Sequence, residues 1–567
     1  MPSPGALSSA SMPMASVSVA EMPRIGFWTI VLIFTWLLLF ALLFIPVGSV
    51  LVSSLYDNAG DFTLGNYIKA IGDERIQRAF FNTLLVGFGG LAGALILGSI
   101  MAFCVSRFEI AGGRFVSLLA IMALVSPPFI GAYSWIVLFG SAGIARTALK
   151  SIGINIPTIY GLSGILIVFS LKFYPYVYLM VSGALSNVNR SLEEAAEGLG
   201  LTPFQRAMKI SFPLVLPALS AGGLLALIHA IADFGTPRLI GRGFNVLATE
   251  AFTLYSAEIG SNMSMATTIS VILVLMSMVF VLMQRYMSRR NVYHGNMINK
   301  PHKIRLRGWK NVLAHFAVYA IGLAGAIPVI VAVIYSFRKT SGPVFQSGFA
   351  LQSYERIVFG LGDVITNSLT FSVASVVLIV LIGTLIGCLV ARRTTLNTSL
   401  LDGALMVPYV MPGIVIGIAF IAAFNTGPVV LTGTAAIIIL SIFIRRLPYT
   451  VRTTSSALRQ IGPNMEEAAI SLGYSPFRAF LKVTVPLIVP GIIAGAMLSF
   501  VTAINELSSS LVLYVGRTMT MPVRIYLLIL DGDFGTAAAL STILLLLSGT
   551  AVYIAFRFLG RNEQALL

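Results

Sequence analysis

Paired glutamates occur twice in this 567-residue sequence, Glu193 with Glu194 and Glu466 with Glu467, and each pair opens the same short pattern. The first copy reads EEAAEGLGLTPF and the second EEAAISLGYSPF, and from Glu193 to Gly222 against Glu466 to Gly495 the copies share 14 of 30 residues at a constant offset of 273. Carboxylates there can cap a helix or pair with a partner's cations, while Ala195, Ala196, Ala468 and Ala469 leave room for close backbone approach. That is the chemistry of docking. A second matched pair, Asp233 in HAIADFGTP and Glu506 in TAINELSSS, follows each copy at the same offset, beside apolar sequence. A carboxylate near hydrocarbon is costly and faces protein or a water-filled path. These two are candidates for such a path, and a solvated position just outside the core fits them equally well.

The chemistry that is missing narrows the function further. No GxxxxGK[ST] phosphate loop occurs, so the chain does not bind ATP in that way. His229, His294, His302 and His315 have no metal-site spacing, and no Ser-His-Asp or Cys-His constellation suggests a hydrolase. Cys104 and Cys388 read as small apolar residues. The expectation is a chain that is not an enzyme and binds no cofactor of its own.

Each repeated island predicts a helix, a turn and a second helix. Ser191 with Glu194, and Asn464 with Glu467, have capping-box spacing. Gly200 and Gly473 suit the left-handed geometry that stops a helix. Thr202 and Ser475 precede Pro203 and Pro476, a cap followed by a proline at the first helical position, and Pro213 and Pro486 are expected to end the second helix. Phe204 and Phe477 are available as knobs. Two passive amphipathic loops, duplicated with the rest, would look similar, but the identity falls more on polar and capping residues than on the adjacent apolar runs.

The elements that carry these islands must cross a membrane. The chain is 57% apolar and only 10% charged, with mean hydropathy +0.91, far from soluble composition. Runs of about 20 apolar residues fall near 27–54, 80–103, 115–140, 156–180, 213–232 and 264–284, and again near 311–336, 365–390, 402–424, 429–450, 486–505 and 536–557. The expected fold is an all-α integral membrane protein, a duplicated polytopic helical bundle of about 12 spans. With the N-terminus inside, the inward segments hold 22 of the 37 Lys and Arg and the outward loops 12, so both islands and both termini face the cytoplasm. The organisation is then a tail at 1–26, a first unit at 27–284 with its loop at 190–213, a basic linker at 285–310, a second unit at 311–558 with its loop at 463–486, and a tail at 559–567. The first 20 residues read as a disordered tail more than a cleaved signal. The net charge of +16 is spread over many short loops, which insertion explains without nucleic acid. The linker either rests on anionic membrane lipid or merely fixes topology.

The repeat extends beyond the islands. Lys172, Pro175, Tyr176, Ser182, Ala184 and Leu185 correspond to Arg445, Pro448, Tyr449, Ser455, Ala457 and Leu458. Asn82 and Asn367 correspond at an offset of 285, which places about 12 extra residues of the first half in the loop FGSAGIARTALKSIGINIPTIYG. The two asparagines read as helix caps or interhelical hydrogen-bond partners, with the cap preferred. Mid-span positions look nearly free of charge, so work would come from outside the chain. The segments 239–262 and 506–535 are expected outside the membrane, with room for a re-entrant or interfacial helix in each.

Each island resembles the EAA loop of the inner-membrane permeases of binding-protein-dependent ABC importers, on Glu194, Ala195, Ala196, Gly200, Ile210 and Pro213 and on Glu467, Ala468, Ala469, Gly473, Val483 and Pro486. Phe212 and Val485 stand where the pattern has Leu, and Val483 where it has Ile; all stay apolar. The fused pair of units, with ADFGTP at 232–237 and NELSSSLVL at 505–513, is most similar to ferric-iron permeases; fused permeases for thiamine and 2-aminoethylphosphonate look related. The resemblance implies a type I importer permease in a bacterial inner membrane, a periplasmic or lipid-anchored binding protein outside, and two ATP-binding cassette subunits inside that use the ATP. It also implies that the repeated loops are the ATPase-coupling elements. Asp233 and Glu506 would make the outer mouth negative and favour a cation, whereas Arg238 and Arg242 keep a phosphonate open. A membrane scaffold that binds cytosolic partners through the loops is the alternative of another class.

Overall fold

In the computed structural model the described residues are 26–57, 60–188, 190–257, 262–290, 303–393, 395–461 and 464–559. Residues 1–25, residues 291–302 of the basic linker and residues 560–567 lie outside them. Almost everything described is helical, and the two halves repeat the same order of helices. Among the described residues ten helices are long and apolar enough to cross a membrane, or 11 if the bent pair Leu396–Val410 and Gly413–Phe424 is one span. The remaining expected span is the 26-residue helix Ala435–Gln460, whose composition is spoiled by Arg445, Arg446, Arg452 and Arg459. It packs against Gly362–Arg392 as Leu162–Ser186 packs against Glu74–Arg107.

The offset of 285 persists to Pro128–Phe139 and Gly413–Phe424, and the offset of 273 begins at Leu162–Ser186 and Ala435–Gln460. The extra residues of the first half therefore lie between 139 and 162, as the sequence indicated, and include the short helix Ile144–Ser151.

Three expectations are corrected. The third span of each half is a broken pair, Gly113–Val125 with Pro128–Phe139 and Leu396–Val410 with Gly413–Phe424, the latter bent by 106°. Pro127 and Pro412 stand at the breaks, where the ring disfavours a helical conformation for the residue before it. Asn82 and Asn367 lie inside Glu74–Arg107 and Gly362–Arg392 and are not caps. Each reaches across to another segment, Asn82 to Asn245 O at 2.8 Å and Asn367 to Arg517 O at 3.0 Å and Met519 O at 3.1 Å. Pro213 and Pro486 do not end the second island helix. A π turn, Ala207–Ser211 or Phe480–Thr484, stops two residues before each proline, and the helix runs on into the span. The widened turn accommodates the missing donor and the ring. Phe40–Phe44 does the same before Pro46.

The short helices Gly235–Ile240 and Leu247–Ser256, and Ser508–Leu513 and Met521–Leu530, are largely buried and are not loops in solvent. The halves are also interlocked. Phe27–Leu39 of the first half packs on Gly362–Arg392 of the second, and Trp309–Ser336 of the second packs on Gly113–Val125 and Pro128–Phe139 of the first.

Close helix crossings within each half depend on matched glycines. A Cβ on Gly222 would lie 2.9 Å from Val177 Cα, and one on Gly495 would lie 2.8 Å from Thr450 Cα, both against backbone of the neighbouring span. Gly222→Leu and Gly495→Leu should each destabilise the protein by about 1–3 kcal/mol, seen as a lower melting midpoint in detergent. Gly549→Leu, with nothing within 4 Å of the added Cβ, should melt with the parent.

Candidate functional site

The two islands form matched projections at one end of the molecule. The first consists of Arg190–Gly198, a turn at Gly200 and the helix from Pro203; the second of Asn464–Ser471, a turn at Gly473 and the helix from Pro476. Gly200 and Gly473 have φ of +79° and +91°, the left-handed geometry expected of them. Thr202 and Gln205 form a reciprocal cap, Thr202 N–H to Gln205 Oε1 at 3.0 Å and Gln205 N–H to Thr202 Oγ1 at 3.3 Å. Ser475 caps through Arg478 N–H at 3.4 Å. The expected first caps are corrected: Ser191 is already inside the first turn and Asn464 is the first helical residue, because each helix starts earlier than the capping-box spacing suggested. The positions before Arg190 and Asn464 lie outside the described residues, as do the side chains of Glu193, Pro203 and Phe204.

What each projection offers is apolar. Leu199 is 83% exposed and Leu472, its counterpart, 81%, with Leu192 and Met465 also exposed. Ala196 and Ala469 are buried, while Ala195, Ala468, Glu194 and Glu467 face outward. Large apolar side chains exposed at matched positions are suited to contact with another protein or with lipid. The copies are not chemically equal: Arg206 pairs with Glu197 at 2.6 Å in the first, where the second has Ala479 and Ile470.

Glu466 does not belong to that outward surface. It is buried, accepts a hydrogen bond from Thr484 Oγ1 at 3.1 Å, and lies 3.6 Å from Arg392 Nε at the end of Gly362–Arg392. It therefore ties the projecting helix to the π turn behind it and to a neighbouring span. In the first half the corresponding Arg107 is buried and donates to Ser211 Oγ at 3.4 Å.

The second site lies at the junction of the halves. A cavity of about 190 Å³ is lined by Lys172, Tyr176, His229 and Asp233 from the first half and by Tyr409, Arg445, Arg446, Tyr449 and Glu506 from the second. Asp233 and Glu506 are brought together here, at the ends of Phe212–Ala232 and Val485–Ile504, and both are buried. Arg445 Nη1 donates to both Glu506 oxygens at 2.6 Å, Arg446 donates to Oε2, and Ser509 N–H donates to Oε1 at 3.2 Å. Gly413 leaves space for the pair: a Cβ there would lie 2.7 Å from Arg445 Nη1. Lys172 caps the carbonyl end of Gly113–Val125, donating to Ala123 O at 2.8 Å, Leu124 O at 3.1 Å and Ser126 O. Asp233 accepts Thr236 N–H at 2.8 Å. A row of rings crosses the junction, Tyr176 to His229 at 4.8 Å, His229 to Tyr409 at 6.3 Å and Tyr409 to Tyr449 at 5.4 Å between centroids.

This overturns two readings of the sequence. The spans are not free of internal charge, because Lys172, Arg445 and Arg446 sit within helices and face the junction. Nor do the two acids make a negative mouth: three cations outnumber two carboxylates. Arg238 and Arg242 do not line this cavity; Arg242 lies over the Tyr160 ring at 3.4 Å. The pairing of Lys172 with Arg445 and Tyr176 with Tyr449 in the repeat was the available signal, whereas His229, Arg446 and Tyr409 have no such partner. Among the described residues no three His, Cys, Asp or Glu side chains converge as a metal site.

Towards the projections, a second cavity of about 520 Å³ is lined by Arg393, Asp402, Arg452 and Arg459. Tyr409 lines both cavities and stands between them.

A duplicated membrane bundle with a polar junction and paired projections at one end is a transport permease. Residues 94–293 and 379–563 each match the family described as binding-protein-dependent transport system inner membrane component, and the chain belongs to that family. It is 27% identical over 525 residues to the ferric transport system permease protein FbpB of Actinobacillus pleuropneumoniae, covering 90% of this chain and 75% of that protein. It is 28% identical over 247 residues to a putative 2-aminoethylphosphonate transport system permease protein, PhnU, of Salmonella paratyphi A, covering 43% of this chain and 85% of that protein. A crystal structure of a bacterial ABC transporter that imports alginate aligns at 18% identity and a TM-score of 0.40, over 46% of this chain and 94% of that one.

Removing the Glu466 carboxylate takes the acceptor from Thr484 Oγ1 and the counter-charge from beside Arg392. Glu466→Ala should lower stability by about 1–3 kcal/mol, and the exposed Glu467→Ala by less than about 0.5 kcal/mol, as read from melting in detergent.

Proposed function

We propose that this chain is the membrane subunit of an ATP-driven importer of ferric iron in a bacterial inner membrane, with both termini cytoplasmic. A periplasmic or lipid-anchored binding protein delivers the cargo to the outer face, and two ATP-binding cassette subunits hydrolyse ATP on the inner face. The chain itself binds no cofactor and catalyses no reaction. The observation that carries the transport reading is the charged cavity at the junction of the halves, separated by Tyr409 from a cavity on the side of the projections. Intramembrane charges lining a cavity mark a substrate pathway, and a junction between two similar halves is where alternating access can open and close it.

The coupling role falls to the two projections, with Leu199 and Leu472 entering grooves on the ATPases and Glu194 and Glu467 at the rim. Iron is the cargo we favour, since relatives named for ferric transport match nine-tenths of the chain. The excess of positive charge in the cavity favours 2-aminoethylphosphonate as a second reading and disfavours cationic thiamine.

Two measurements test this. Cysteines placed singly at Ser191 and Asn464 should be shielded from an impermeant thiol reagent in intact cells, and one at Ser341 should react; the reverse pattern would overturn the orientation. Replacing both Gly200 and Gly473 by valine strains each turn and should release the ATPase subunits on purification. Retention with parental ATP-dependent iron uptake in proteoliposomes would exclude a coupling role.

A further inference from the structure

We propose that cargo passes through this chain as an oxyanion-bearing species, so that ferric iron crosses with a phosphate or carboxylate ligand still attached and not as a bare cation. The inference rests on the importer reading above and concerns the chemical form in which the junction accepts its cargo.

The cations outnumber the carboxylates in both cavities along the path. In the junction cavity Lys172, Arg445 and Arg446 face Asp233 and Glu506, and Glu506 is already committed to both arginines and to Ser509 N–H. In the second cavity Arg393, Arg452 and Arg459 face Asp402, which Arg452 holds at 3.1 Å. A trivalent cation would therefore meet excess positive charge in both, poorly screened where the junction charges are buried. An anion meets complementary charge throughout.

The junction also has hydrogen-bonding capacity in reserve. Arg445 is nine-tenths buried, yet its Nε has no partner among the described residues, and neither has Arg446 Nε or Ser126 Oγ. All three residues line the cavity. Buried donors without acceptors are costly, and a planar guanidinium edge suits a phosphate or carboxylate. The first turn of Pro128–Phe139 borders the same space and adds the positive end of a helix. The phenols of Tyr176, Tyr409 and Tyr449 can meet the outer oxygens of such a complex as donors.

The test uses the complete importer in proteoliposomes, with binding protein, ATPase subunits and ATP. The binding protein is loaded with radiolabelled iron and either labelled phosphate or labelled citrate, and both labels are followed inside. Iron and one anion should enter in fixed ratio. Arg446→Gln should cut that uptake about tenfold or more, as expected for loss of a charge-assisted contact; Arg446→Lys should retain most of it. Assembly of each variant is checked by gel filtration. The exposed Arg459→Gln should slow uptake without affecting assembly and serves if Arg446→Gln does not assemble. Iron entering with neither label, or uptake indifferent to both Gln substitutions, would overturn the proposal. Absence of iron flux together with 2-aminoethylphosphonate flux that both substitutions reduce would sink the ferric assignment and support the anion path.

Discussion

Glu506, held by two arginines and a backbone amide, is the interaction on which the junction depends. A carboxylate buried between helices is tolerable only if its charge and lone pairs are satisfied, and here the partners come from a neighbouring span that needs the same compensation. The arginines have no other way to be buried in Ala435–Gln460, and the break at Pro412 with Gly413 makes the room. The consequence is a helix too polar to pass as a membrane span by itself and stable only inside the bundle.

The duplicated halves differ in charge where they meet. At the matched positions the first half has Lys172, Phe173 and Asp233 where the second has Arg445, Arg446 and Glu506. Lysine satisfies itself on the carbonyls at the end of a broken helix, whereas arginine pairs with the acid. A pseudo-symmetric frame thus carries an asymmetric lining, and the asymmetry is one of charge. The frame itself is shared more strictly: the same π turn before the same proline, and a glycine at the same crossing, recur in both halves because the helices must approach equally closely.

The second helix of each projection, from Pro203 or Pro476, runs on through the π turn into a span that ends beside the junction acid, Asp233 or Glu506. Glu466 ties the second projection to an adjacent span as well.

The sequence by itself determined the membrane character, the duplication, the paired helix–turn–helix islands with their left-handed glycines, and the place of the 12 extra residues, because hydrophobicity, repeat offset and turn chemistry are local and survive without coordinates. It also marked Asp233 and Glu506 as a pair. Only the tertiary structure decided what surrounds them. The arginines that hold Glu506 lie about 60 positions away in the chain, and the other charged residues of the cavity come from helices of both halves, so the sign of the site is a sum over side chains that only packing brings together. The same reason explains Asn82 and Asn367, whose partners are backbone carbonyls more than 140 residues on, and the run of helix through Pro213 and Pro486, where the bundle supports a π turn that local rules would read as an end.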